Sequence, residues 1–114
     1  MKYLLLIATD PKYAPADQAS GEKMMAEYLA FTQLIKDSGE YVGGEQLDGR
    51  DSATTVRIRE GNTAITDGPF AETTEQIGGY YIVDVPHLDR ALEIAALIPG
   101  ARDGAVEVRP IVEM

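Results

Sequence analysis

The chain contains no cysteine, which excludes a disulfide framework and any thiolate metal site and suits a reducing cytoplasm, the expected location. It has a single histidine, His87, so no histidine pair is available for a metal. No apolar run approaches the roughly 20 residues needed to span a bilayer. Basic residues are scarce: 10 against 19 acidic ones leave a net charge of −9, with no Lys/Arg block to interrupt it. That average field repels phosphate backbones and anionic headgroups, so neither nucleic acid nor membrane is an expected partner. The acidity reads as solubility. MKYLLLIA at the start looks like a short secretory signal, but Thr9-Asp10-Pro11-Lys12 follows without a small-residue cleavage site, so the segment reads as a buried first strand.

The 114 residues present fit one domain, able to bury roughly two-thirds of the surface an unfolded chain exposes. Tyr3 to Ala8 is continuously apolar and short, and Pro11 stops it, as in a strand covered on both faces. Lys12 to Ala19 reads as a loop. Ser20 is then placed to cap a helix, and Met24, Tyr28, Phe31 and Ile35 recur along one face, widened by Met25, Leu29 and Leu34, up to a C-terminal Gly39. Tyr41-Val42 opens a second strand, followed by a loose Gly/Asp region from Gly43 to Ser52. Thr54–Arg59 alternates, and Gly61-Asn62 reads as the tight turn that returns Thr63–Thr66 as a hairpin partner. Gly78-Gly79 reads as a breaker before a strand from Tyr80 to Val85. Leu88, Ala91, Leu92, Ala95 and Ile98 form a second helical stripe, ended by Pro99-Gly100, and Val106–Arg109 alternates as a last strand.

This order, β-α-β, hairpin, β-α-β, predicts an α+β, ferredoxin-like split βαβ subunit with a β-hairpin insertion and both helices on one face of the sheet. Its other face is then bare. Leu4, Leu6, Ala8, Val83 and Val85 make both sides of the inner strands apolar. A large uncovered patch is unusual in a soluble monomer, so a homodimer packed sheet to sheet is expected.

The chemistry-bearing residues gather in TDGPFAETTEQIGGYY, Thr66 to Tyr81. Asp67 either accepts backbone hydrogen bonds and shapes its loop or lies at the mouth of a pocket as a base or ligand acceptor, with Phe70 anchoring the loop in the core. Glu72 and Glu75 are less constrained; Glu75 reads as solvated, and Glu72 as the start of a turn. Arg57 and Arg59 share a strand face, either in a charge ladder with Glu107 and Arg109 or with Arg57 holding a carboxylate by its fork. Tyr80 and Tyr81 point to opposite faces, one towards a dimer interface and the other towards a ligand. His87 reads as a helix-entry side chain rather than a general base. Carboxylates without His or Cys make a poor metal site, and the glycine pairs lack the setting of a nucleotide loop. No metal or cofactor is expected.

TDGPFAETTEQIGGYYIVDV resembles the DGPF branch of the YCII-related proteins, as do ATTVRIREGN before it and VPHLDRALEIAALIPGAR and GAVEVRP after it. The likeness covers nearly the whole chain. It implies a dimeric α+β barrel with a cleft between sheet and helices. Some relatives are linked to sigma-factor proteins, which implies a regulatory setting. The histidine near the start of the first helix, proposed in the wider family to pair with an aspartate, is missing: KMMAEYLAF carries Tyr28 there. The reading is a small-ligand-binding module, its cleft bordered by Tyr28, Arg57, Asp67, Phe70 and Glu72, with Tyr81 facing the ligand. One alternative is an enzyme acting on a small organic acid, with Asp67 as base, Arg57 on the acid and Tyr28 as proton donor. The other is a regulatory interaction module.

Overall fold

A computed structural model describes residues 1–71 and 73–114. The apolar run forms β1 (Lys2–Thr9), at the centre of a four-stranded antiparallel sheet. Its neighbours are β5 (Gln76–Asp84) and β6 (Gly104–Pro110), and β2 (Tyr41–Gln46) adds to the outside of β5. Helices α1 (Gln18–Asp37) and α2 (Leu88–Leu97) occupy the two crossovers. The strand order β2-β5-β1-β6 is that of a ferredoxin-like α+β fold.

Strand alternation sorts the sheet into two chemistries. Tyr3 pairs with Val83, Leu5 with Tyr81 and Val108, and Ile7 with Val106, all towards the helices. There they meet Phe31 and Ile35 of α1 and Ala91, Ile94 and Ala95 of α2. Leu5, Val83 and Ile94 are fully buried. On the opposite face lie Leu4 and Leu6, cross-strand from Ile82 and Tyr80, each half-buried, while the helices pack on the other face. Val83 and Val85, expected on this open face, belong to the core instead; the strand's period of two puts Tyr80 and Ile82 outside.

Helix α1 begins before Ser20. Asp17 is its cap, the carboxylate accepting the Ser20 amide at 2.8 Å. The hydrogen bonds from the Ser20 backbone and then its side chain hold the Asp17 carboxyl below the usual carboxylate range. The helix ends at Gly39, φ 78°, with the Glu40 amide returning to Ile35 O at 3.0 Å. His87 caps α2, its Nδ1 accepting the Arg90 amide at 3.4 Å, in keeping with helix entry. Gly78-Gly79 does not break β5. Ile7 pairs with Gly79 and Ala8 with Ile77, which leaves Gly78 as the extra residue of a bulge. No helix among the described residues is long and apolar enough to cross a membrane.

One ion pair ties the layers together. Arg90 Nε and Nη2 donate to Glu40 Oε2 and Oε1 at 2.7 and 2.8 Å, joining α2 to the entry of β2. The Arg90 hydrogen bonds hold Glu40 below its ordinary value of 4.5. A depressed carboxylate stabilises the fold above its unfolded pKa and loses that contribution as pH falls through the folded one. Glu40→Gln is therefore expected to lower the urea midpoint at pH 7, and the gap to wild type should narrow at pH 3. An equal gap at both pH values would refute the assignment.

The insertion stands apart. β3 (Thr54–Arg59) and β4 (Asn62–Asp67) form a separate two-stranded sheet. Its turn is Glu60-Gly61, φ 53° and 79°, one residue before the expected Gly61-Asn62; Arg59 pairs directly with Asn62. Two positive φ values mark a type I′ turn, which follows the right-handed twist of the strands. Glutamate is a poor occupant of left-handed backbone, costing roughly 1 kcal/mol. Glu60→Asn is expected to raise amide-exchange protection in 54–67 several-fold while leaving the core's protection unchanged.

The expected charge ladder does not form. Glu107 and Arg109 approach at 3.8 Å along β6, but Arg57 and Arg59 belong to the other sheet. Arg57 instead donates to Phe70 O at 3.2 Å, and Arg59 to the neighbouring Ile58 O at 3.0 Å.

Candidate functional site

The hairpin register brings the first half of the central motif beside residues 50–53. Thr54 opposite Asp67 is the last cross-strand pair. Beyond it the Gly68 amide donates to Ala53 O at 2.8 Å, and Gly68 O accepts from the Thr55 hydroxyl at 2.7 Å. Gly68, at φ 101°, takes a backbone conformation that a side chain would strain. Residues 50–53 consequently run beside 68–71. Arg50–Ser52 is a 3-10 turn held by the Ser52 amide and hydroxyl on Gly49 O, at 3.0 and 2.7 Å. The Leu47 amide donates to Gly78 O at 2.9 Å and ties this root to β5.

Two clefts open there. A polar one of about 680 Å³ is lined by Arg50, Asp51, Asp67, Gly68, Pro69, Thr73 and Thr74. The second, about 410 Å³ and largely apolar, has Leu47, Ala53, Phe70, Ala71 and Ile77 among its walls and shares Arg50, Pro69 and Thr73 with the first. Asp67 is exposed on the polar wall. Among the described residues no backbone amide donates to its carboxylate; the hydrogen bonds that shape the loop pass through Gly68 and Phe70 O. Phe70 is 73% exposed. It is no core anchor, because the hairpin carries it away from the core and places it on the wall of the apolar cleft.

Tyr28 and Tyr81 lie elsewhere, between α1 and β5. Tyr28 is half-buried, and its hydroxyl accepts the Gly100 amide at 3.1 Å. Burial, with Tyr81 as a lesser contributor, raises its pKa against the opposing Gly100 amide, so it stays a phenol. Thr32 gives its proton to Tyr28 O at 2.8 Å. The Tyr81 hydroxyl, 2.7 Å from Thr32 Oγ1, must therefore be the donor of that pair. The Tyr81 ring packs edge-on against Phe31 and Tyr41, with centroids 5.1 and 6.5 Å away, and Gly44 leaves room for it: a Cβ there would sit 2.8 Å from its Cδ1. The two clefts described above lie at the hairpin root, away from this tyrosine network.

A family model for the YCII-related domain matches residues 1–114. The chain belongs to this family. An uncharacterized protein of Rhizobium meliloti (strain 1021) is 33% identical over 114 residues, which covers 97% of this chain and 92% of that protein.

Within this YCII-related chain, the structure groups the residues singled out in the sequence into two sets. At the hairpin root Asp67 lines the polar cleft and Phe70 the apolar one, while Arg57 donates to Phe70 O and is among the described lining residues of neither. Tyr28 and Tyr81 share the Thr32 network. Glu72 lies outside the described residues. Among the described residues no three His, Cys, Asp or Glu side chains cluster as metal ligands. Sequence reading missed Arg50, Thr73, Thr74, Leu47 and Ile77. The available signal was the hairpin itself, since extending its register by four residues places Arg50 opposite Ala71, just past the DGPF loop.

Proposed function

We propose that this YCII-related chain is a cytoplasmic homodimeric α+β barrel that binds a small organic molecule at the hairpin root. The observation that carries this reading is the pairing of the two clefts. One offers a guanidinium, two carboxylates and two threonine hydroxyls; the adjoining one offers Leu47, Phe70 and Ile77. A few convergent polar groups beside an apolar recess are the usual make-up of a small-ligand site. Both signs of charge in the polar cleft suit a head group that both donates and accepts, attached to an apolar body. The open sheet face of Leu4, Leu6, Tyr80 and Ile82 supports the dimer.

The test is thermal shift with L-phenylalanine, 3-phenylpropionate and phenethylamine, which share a body and differ in head. The amino acid is expected to raise Tm most, and Asp67→Asn and Arg50→Gln each to abolish the shift while the ligand-free Tm stays within about 1 °C. No shift from any of the three at millimolar concentration would count against the reading. The enzymatic alternative, with Asp67 as base, draws on the same exposed carboxylate and requires turnover of whichever compound binds.

A further inference from the structure

The hairpin carries an apolar face that stays exposed among the described residues. Val56 and Ile65 pair across it, with Ile58 one step along, and the three are 60%, 69% and 64% exposed. The arm makes no substantial packing contact with the four-stranded sheet or the helices. It extends the molecule: the radius of gyration is 16.0 Å, against about 13 Å for a compact chain of this length. Three β-branched side chains on an isolated two-stranded ribbon are not a stable arrangement in water, because such a ribbon needs a packed face to persist.

We propose that this arm is the dimer's clasp: Val56, Ile58 and Ile65 of one copy pack on the margin of the open sheet face of a second copy. The proposal rests on the homodimer put forward above and adds to it the surface that completes it. Area is the first argument. Four strands about 4.8 Å apart and about 25 Å long offer a footprint of roughly 500 Å², short of the about 800 Å² per partner usual in a specific complex. The arm, two strands of about 20 Å, adds roughly 200 Å² and brings the footprint to about 700 Å², nearer that size.

Charge is the second. Arg50, Arg57 and Arg59 balance Asp51, Glu60 and Asp67, so residues 50–67 are neutral and the whole net charge of −9 falls on the remainder. Two such bodies repel, and the arm is the stretch that can cross to the other copy without adding to that repulsion. The third is continuity. Ile77, at the foot of the arm and 48% exposed, pairs with Ala8 of the open face and also walls the apolar cleft.

Benzoylphenylalanine at position 58 tests this, with position 29 as the control. Ile58 and Leu29 are equally exposed at 64%, but Leu29 lies on the helical side. Illumination is expected to give a covalent dimer from position 58 alone, its cross-linked peptide mapping to a strand of the four-stranded sheet (β2, β5, β1 or β6) of the second copy. The double variant Val56→Asp/Ile58→Asp is expected to weaken the dimer roughly 100-fold with an unchanged circular dichroism spectrum, since among the described residues both side chains are exposed and the arm packs on neither the four-stranded sheet nor the helices of its own chain. A wild-type dimer with no cross-link above the control, with cross-links only within one chain or to helices, or with an unchanged dissociation constant in the double variant overturns the clasp and leaves the dimer standing. A monomeric wild type overturns both.

Discussion

Gly104→Ala is expected to destabilise the subunit by about 3–5 kcal/mol, among the largest effects of any single methyl group in this chain. A Cβ at Gly104 would sit 2.1 Å from Ala8 O and 2.9 Å from Thr9 Cα. Both obstacles are backbone of the central strand, and Gly104 pairs with Thr9 at the start of β6. Neither can retreat without parting β1 from β6. Gly100→Ala is the graded comparison, because its Cβ would meet the Tyr28 hydroxyl at 2.7 Å and Ile7 Cγ2 at 2.9 Å. Side-chain ends move more cheaply than backbone, so about 1–2 kcal/mol is expected there. Gly49→Ala sets the baseline: nothing lies within 4 Å of its Cβ, and its φ is −58°. Urea midpoints should rank Gly49→Ala, Gly100→Ala and Gly104→Ala in order of increasing loss, and a near-neutral Gly104→Ala would show that β6 is not held against β1 as described.

Adjacent leucines on β1 should respond in opposite ways. Leu6→Lys is expected to leave the fold intact and dissociate the dimer, weakening it roughly 100-fold. Leu6 lies on the open face, cross-strand from Glu107, so the new ammonium gains an opposite charge within its own chain and loses its hydration only when a second copy covers it. Leu5→Lys is expected to unfold the chain, because Leu5 is 0% exposed between the two helices and the sheet. Sedimentation together with circular dichroism separates the cases. A Leu6→Lys protein as dimeric as wild type would mean that the open face is not where the copies meet.

The fold was legible because its signals are local and periodic. Met24, Tyr28, Phe31 and Ile35 mark a helical face whatever they pack against, and Pro11, Gly39 and Pro99 end their elements by backbone chemistry alone. The errors fell where two local rules compete. Asp17 and Ser20 both suit a cap, and the longer reach of the carboxylate to the amide three residues on decides for Asp17. Glu60 in a left-handed turn goes against its own preference, so the sequence points to a turn one residue later than the observed one. Gly78-Gly79 looks like a breaker until a partner strand turns the pair into a bulge. The site was less legible, because it is a product of register. Arg50 and Asp67 are 17 positions apart in the sequence and line one cleft only because the hairpin folds them together. Tyr28 and Asp67, which chemistry alone would pair, lie on elements that the fold keeps separate.

Sedimentation velocity of the wild-type chain at micromolar concentration is the most direct test of the claim that a second copy covers the open β face. The predicted result is a single species of twice the 12.4 kDa chain mass across that range. A species of one chain mass with an intact α+β spectrum, its Leu4, Leu6, Tyr80 and Ile82 left in water, would contradict it.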